Sequence, residues 1–182
     1  MPARWLEEAE RVDVAVYAAI AQTDTPVLDR ALSRLSRAAD YSRLSLASAA
    51  ILSVAGGARG RGAARVGLAS LAVTAAVVNA AVKPLAKRRR PERERRSVPL
   101  GRHVRMPVTR SMPSGHSAAA FAFATGVGSV LPAAAIPLRT LAAAVAYSRV
   151  HTGVHYPSDV LAGALLGSAI AQGTAHLIAR WR

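Results

Sequence analysis

Along the first 43 residues, apolar positions recur at helical spacing. In residues 3–22, Trp5, Ala9, Val12, Val16 and Ile20 fall near one face, with Glu7, Glu10, Arg11 and Asp13 elsewhere, the pattern of an amphipathic helix. Its charges and length argue against crossing a bilayer and predict a helix lying in the interface. Thr25 followed by Pro26 reads as a second helix start, a capping residue with proline at the first helical position. Val27, Leu28, Ala31, Leu32 and Leu35 form the apolar face of that element.

Beyond residue 43 the pattern changes from amphipathic to uncharged. Residues 44–58 lie between Arg43 and Arg59, and residues 66–82 between Arg65 and Lys83. Both are short for a hydrocarbon core of ~30 Å at ~1.5 Å per residue, a gap that snorkelling arginines or local thinning closes. A third uncharged run, residues 111–138, is broken by Pro132 and Pro137, which predicts a helix over 114–131 and then a turn. Residues 140–148 continue as a further helix ending near Arg149, and residues 160–179 supply 20 uncharged positions before Arg180. The predicted fold class is all-α: an integral-membrane helical bundle of about five spans (residues 44–182) preceded by N-terminal interfacial helices (residues 1–43). No internal repeat is visible, and the length leaves room for one catalytic domain.

Composition supports the bilayer. Hydrophobic residues make up 52% of the chain but aromatics only 4%, where a soluble core would use more Phe, Tyr and Trp. Small residues instead let membrane helices approach closely. The net charge of +14 suits either nucleic acid or anionic lipid with a positive-inside bias. The uncharged runs favour lipid, and no nucleic-acid partner is expected. Without cysteine, disulfides, thiolate zinc sites and cysteine nucleophiles are excluded. The first ten residues are polar and acidic, unlike a cleaved signal peptide.

Three short stretches carry the candidate chemistry. The first is Lys83 with Arg90 and Pro91 seven residues on; the second is Pro113, Ser114, Gly115 and His116; the third is Ser148 and Arg149 followed by His155 and Asp159. Ser114 is a good helix cap, so free N–H groups at the helix start suit an anion, and Gly115 lets a phosphate approach the backbone. An ordinary helix cap reads the same way. His116 sits in an apolar segment, where ionisable groups are usually functional. His155 and Asp159 are four apart, and a carboxylate on one ring nitrogen leaves the other free to attack. Two histidines and a carboxylate also suit a metal, but the cations Lys83, Arg90 and Arg149 would repel a metal and attract phosphate. His151 reads as structural and His103 and His176 as incidental. Most arginines of residues 83–110 read as a solvated juxtamembrane loop. Threading the five spans brings all three stretches to one membrane face.

These stretches resemble the three-part signature of the type 2 phosphatidic acid phosphatase (PAP2) superfamily, K-x6-RP, PSGH and SR-x5-H-x3-D, without departure over residues 83–159. The resemblance implies a metal-independent phosphatase, without cofactor, that forms a phosphohistidine. His155 would be the nucleophile, Asp159 its orienting partner, and His116 the acid and then the base. Lys83, Arg90, Arg149, Ser114 and the backbone near Gly115 would bind phosphate. The family also contains soluble haloperoxidases and acid phosphatases; the apolar spans favour its membrane lipid phosphatase branch, with a lipid phosphate and the bilayer as partners.

Membrane members usually place three spans ahead of the first motif, and this chain has room for two. Only Arg59, Arg61, Arg65, Arg139, Arg180 and Arg182 of its 24 cationic residues then fall opposite the site, which puts the active site on the cytoplasmic face of the cell membrane. A cytoplasmic site suits a biosynthetic intermediate. The short, Ala/Arg-rich chain looks like the actinobacterial branch that removes the 5-phosphate from decaprenylphosphoryl-5-phosphoribose on the route to cell-wall arabinose donors. Undecaprenyl or decaprenyl diphosphate, phosphatidate and phosphatidylglycerophosphate stay open as substrates, as does a non-catalytic protein whose basic loop binds anionic lipid. Gly163 and Gly167 suit close helix packing, within or between chains; the oligomeric state is not readable.

Overall fold

The computed structural model describes residues 4–181, apart from the side chain of Arg96. Ala3, where the first predicted helix begins, and Arg182, one of the counted charges, lie outside the described residues. Among the described residues the regular structure is all helical.

Helices α1 (Arg4–Gln22) and α2 (Pro26–Ala38) form where the spacing predicts them, the second with Pro26 at its start. The residues of α1 facing the protein are Asp13, Tyr17 and Ala21, and those of α2 are Asp29, Ser33 and Ser36. Their outer faces are mixed: Trp5, Val12, Val16, Val27 and Leu28 are exposed beside Glu7, Glu10, Arg11, Arg30 and Arg34. Apolar and charged groups side by side on the outer surface suit a helix at a membrane interface.

Residues 59–65 are expected to connect two spans, but they are helical. Helix α3 (Arg43–Ala55) ends at Gly56, and α4 (Gly57–Leu85) begins at the next residue. Gly57 takes φ of 58°, a left-handed conformation that closes a helix end within one residue. Gly60 lies so close to the Leu52 carbonyl that a Cβ would collide with it. Arginine is a good helix former, so Arg59, Arg61 and Arg65 extend α4 instead of looping out. Near its other end α4 widens to π geometry over Val78–Val82, directly before Lys83.

Helix α5 (Gly115–Val130) is the central element, packed between α4 and α7 (Pro157–Arg180) and against α6 (Ala135–His151). Helix α6 starts earlier than residue 140, with Pro137 in its first turn, where the missing N–H has no intrahelical partner to lose. Glycines set the close approaches, and they do so within one chain. A Cβ at Gly163 would stand 2.5 Å from the Ser114 carbonyl oxygen, and one at Gly126 2.6 Å from Ser70 Oγ; Gly167 meets the Ala118 carbonyl in the same way. Ser70, Thr74, Ser117 and Thr125 are buried in this bundle, while Ile51, Val54, Leu161 and Leu165 point outward. Helices α4 and α7 are long and apolar enough to cross a membrane.

Candidate active site

The three stretches meet at the ends of α4, α5, α6 and α7. Lys83, on the last turns of α4, carries its ammonium over the start of α5: a Cβ on Gly115 would lie 3.2 Å from Lys83 Nζ. That contact joins the first stretch to the second. Arg90, from the segment between α4 and α5, reaches the third. Its Nη1 donates to the Val154 carbonyl at 3.1 Å and to His155 Nε2 at 3.1 Å, while Nε and Nη2 hold Thr109 and the Arg110 carbonyl.

His155 sits in the turn between α6 and α7. Its backbone N–H and that of Val154 both bond to the Arg149 carbonyl, folding the turn back over the end of α6. Gly153 makes this fold possible: its φ is 70°, and a Cβ would press on Arg93 and Tyr17. Because a guanidinium only donates, Arg90 identifies Nε2 of His155 as an acceptor, and the ring proton therefore lies on Nδ1. Nδ1 faces Asp159 Oδ2 at 3.4 Å. Burial pushes the His155 imidazole down to about 4, against the pull of Asp159 and with the push of Arg90 and Arg149.

Asp159 is fully buried and receives four donors. Arg88 Nη1 reaches Oδ1 at 3.1 Å; the Tyr156 N–H at 2.9 Å, the Ser111 hydroxyl and His155 reach Oδ2. Its own carbonyl accepts the Ser114 N–H at 2.9 Å, tying the start of α7 to the start of α5. The Ser114 hydroxyl accepts from Ser117 Oγ at 3.0 Å and from the Ser117 N–H, capping α5. Arg149 is buried, with Nη1 on Ser36 Oγ at 2.6 Å and Nε without a partner among the described residues. A buried guanidinium N–H left open is costly unless an anion takes it.

His116 lies on the other side of the cluster. Its Nε2 donates to Asp40 Oδ1 at 3.0 Å, and the same oxygen stands 3.9 Å from Arg149 Nη1. Asp40 opens the short turn between α2 and α3, where Tyr41 and Ser42 both take left-handed backbone conformations, φ 56° and 58°. Two such non-glycine residues in succession cost roughly 1–2 kcal/mol each, which is the kind of strain found where a chain is held for function. Next to His116 opens a cavity of 210 Å³ lined by Lys83, Gly115, Tyr41, Ser42, Ser45 and Asn79.

Several of these groups escape a reading of the sequence. Asp13 and Asp29 look like solvent-facing charges on amphipathic helices, Asp40 like a polar residue of a connection, and Arg88 and Arg102 like two more arginines in a basic loop. Arg102 is fully buried, bonding Asp29 and the carbonyls of Ile20 and Ala21 at the end of α1. His151, read as structural, pairs with Asp29 at 2.8 Å. Burial raises the Asp29 carboxyl, but His151, Thr25 and Arg102 outweigh it and hold the group below its ordinary value.

Residues 64–182 match the model of the PAP2 superfamily. The chain belongs to this superfamily. The decaprenylphosphoryl-5-phosphoribose phosphatase of Mycobacterium tuberculosis, in strains CDC 1551 and H37Rv, is 36% identical over 93 residues. That match takes in 49% of this chain and 47% of the relative, so the chain spans about half the length of the curated relatives it matches. Among solved structures, the transmembrane PAP2-type phosphatidylglycerolphosphate phosphatase of Bacillus subtilis superposes with a TM-score of 0.71 at 22% identity, covering 100% of this chain and 90% of that one. LpxE of Aquifex aeolicus gives 0.65 at 24% identity, covering 88% and 93%. At such identities these two establish the fold, that of PAP2 membrane phosphatases. Asp13, Asp29 and Asp40 precede the residues that match the family.

Proposed function

We propose that the protein is an integral-membrane lipid phosphatase that works through a phosphohistidine on His155. The observation that carries this reading is the 3.1 Å contact between Arg90 Nη1 and His155 Nε2: a phosphate-binding cation stands at the lone pair of the ring nitrogen that carries no proton, and a phosphate taking up that cation would leave the lone pair to attack. A phosphate held by Arg90, Lys83 and the open Nε of Arg149 brings its phosphorus to that nitrogen. A P–N bond then forms as the P–O bond to the lipid breaks, and His116 gives its proton to the leaving oxygen. Asp159 offsets the positive charge that develops on the His155 ring. His116 next takes a proton from water, whose oxygen attacks phosphorus and frees His155. The cations stabilise the transferring phosphoryl group throughout.

The preferred substrate is decaprenylphosphoryl-5-phosphoribose. The name of the Mycobacterium tuberculosis relative supports this choice, as does a cavity beside His116 with hydroxyl and amide groups in its wall, where the leaving group would lie. Helices α3 to α7 form five spans, residues 1–43 lie in the interface, and the active site faces the cytoplasm. Purified protein should release phosphate from this lipid with EDTA present, faster than from decaprenyl diphosphate, phosphatidate or phosphatidylglycerophosphate. His155→Ala should lose at least about 10⁴-fold of that activity; a variant as active as the parent would defeat the mechanism, and a different order of lipids the substrate. For orientation, a cysteine at Leu100 should resist an impermeant thiol reagent in intact cells while one at Ala58 reacts, and the opposite labelling would reverse the cytoplasmic assignment.

A further inference from the structure

Asp13 belongs to α1, far from every motif, yet it is bound to the base of the site. Its Oδ1 accepts the Ser158 N–H at 2.8 Å and its Oδ2 accepts the Ser158 hydroxyl at 2.6 Å, so it caps α7 from outside that helix. Oδ2 also receives Arg88 Nη2 at 2.5 Å. Arg88 Nη1 in turn reaches Asp159 Oδ1 at 3.1 Å, and Asp159 holds His155. The guanidinium lies 4.1 Å above the Tyr156 ring, and Tyr17 of α1 meets that ring edge-on at 5.3 Å. The N-terminal helix is thus joined, through two ion pairs and Asp159, to the histidine of the third motif.

We infer that Asp13 and Arg88 form a charge relay that positions Asp159 and sets its strength as a partner of His155. This rests on His155 being the nucleophile. The charges explain why both members are present. Arg88 alone would neutralise Asp159 and leave no net negative charge to face the imidazole as it becomes positive. With Asp13 on its other side, Arg88 is shared between two carboxylates, and the trio keeps one negative charge for His155. In return Arg88 provides a rigid two-pronged bridge that fixes the Asp159 carboxylate.

The relay predicts an unusual pattern of variants, read on the lipid phosphate that the parent protein hydrolyses fastest. Asp13→Asn keeps the shape and the acceptor for Ser158 but removes the charge, and kcat should fall about 10-fold with KM little changed. Adding Arg88→Gln should restore part of the loss, since Asp159 regains its full charge. Ser158→Ala removes the hydroxyl that accepts Arg88 Nη1 at 2.6 Å and donates to Asp13, but leaves all three charges in place, and it should cost less than Asp13→Asn at equal thermal stability. Losses that multiply in the double variant, an Asp13→Asn protein as active as the parent, or a loss that appears only in KM or only as unfolding would each overturn the relay.

A second readout does not depend on the phosphatase reading. In ¹⁵N-histidine NMR of the detergent-solubilised protein, the His155 titration should move to lower pH in Asp13→Asn. The charged groups facing this ring are Asp159, Arg90 and Arg149, with Arg88 and Asp13 behind Asp159, and none but Asp13 is altered. An unmoved titration rejects the relay even if no lipid is turned over. An inactive parent protein with a moved titration rejects the phosphatase reading and keeps the relay.

Discussion

Two histidines of this site each have an aspartate, and the two pairs are built in opposite ways. His155 and Asp159 are four residues apart, both buried, and the carboxylate is saturated by Arg88, Ser111, the Tyr156 N–H and His155 itself. His116, in the first turn of α5, and Asp40, in the turn between α2 and α3, are 76 residues apart in sequence. Asp40 is 36% exposed, with His116 at 3.0 Å and Arg149 at 3.9 Å as its neighbours. The first pair is fixed from all sides, which suits the nucleophile role proposed for His155. The second sits beside a cavity of 210 Å³, which suits the proposal that His116 acts first as an acid on the leaving group and then as a base on water. Rigidity and access are thus divided between the two pairs.

The largest effect that tests this division is expected at the rigid pair. Asp159→Asn removes the charge and allows the wrong ring nitrogen to carry the proton, as an amide can donate as well as accept. We expect kcat to fall roughly 10³-fold or more, on every substrate alike, because forming the P–N bond is common to all of them. A loss that depended on the leaving group would mean that Asp159 serves the other half of the reaction.

Asp40→Asn should be milder and selective. A partner that orients an acid is typically worth about 10- to 100-fold, and that loss should appear with lipid phosphates. It should shrink nearly to nothing with p-nitrophenyl phosphate, whose leaving group departs as a stable anion and needs no proton. Equal losses on both kinds of substrate would show that Asp40 acts on phosphate binding through Arg149, and the contrast between the pairs would fail.

The same contrast explains how much was legible in the sequence. The His155–Asp159 pair, Lys83, Arg90, Arg149 and Gly115 could be brought to one membrane face by threading uncharged runs, since each lies at the end of one. Short spacing and helix ends are local signals. Asp40, Asp13 and Arg88 give no such signal, because spacing alone does not separate a carboxylate that turns inward from charged neighbours that do not. In α1 Asp13 is buried while Glu7, Glu10 and Arg11 are exposed, and in α2 Asp29 is buried while Arg30 and Arg34 are exposed, so the periodicity of these helices is readable but the facing of each charge is not. The charged stretch 59–65 separates two uncharged runs in the sequence, but the chain turns before it, at Gly56 and Gly57, and nothing after the turn breaks the helix.

The smallest effect concerns stability, and it isolates the rigid pair. His155 in the folded protein titrates at about 4, chiefly because it is buried, against 6.5 ordinarily. Between those values the unfolded chain binds a proton that the native state refuses, so stability falls as the pH drops. The neutral ring therefore leaves the fold at full stability above pH 6.5, and the loss accumulates as the pH falls towards 4. From pH 7 to pH 5 this one group should account for about 2 kcal/mol at most. Denaturation midpoints in detergent at the two pH values would show it as a difference between the parent and His155→Gln, which has nothing to titrate there. The variant should lose less on acidification. If both lost the same, His155 would be protonated in the native state at pH 5, and its Nε2 would be a donor pointed at a guanidinium. That arrangement is repulsive on both counts, so the 3.1 Å contact with Arg90 and the pH slope stand or fall together.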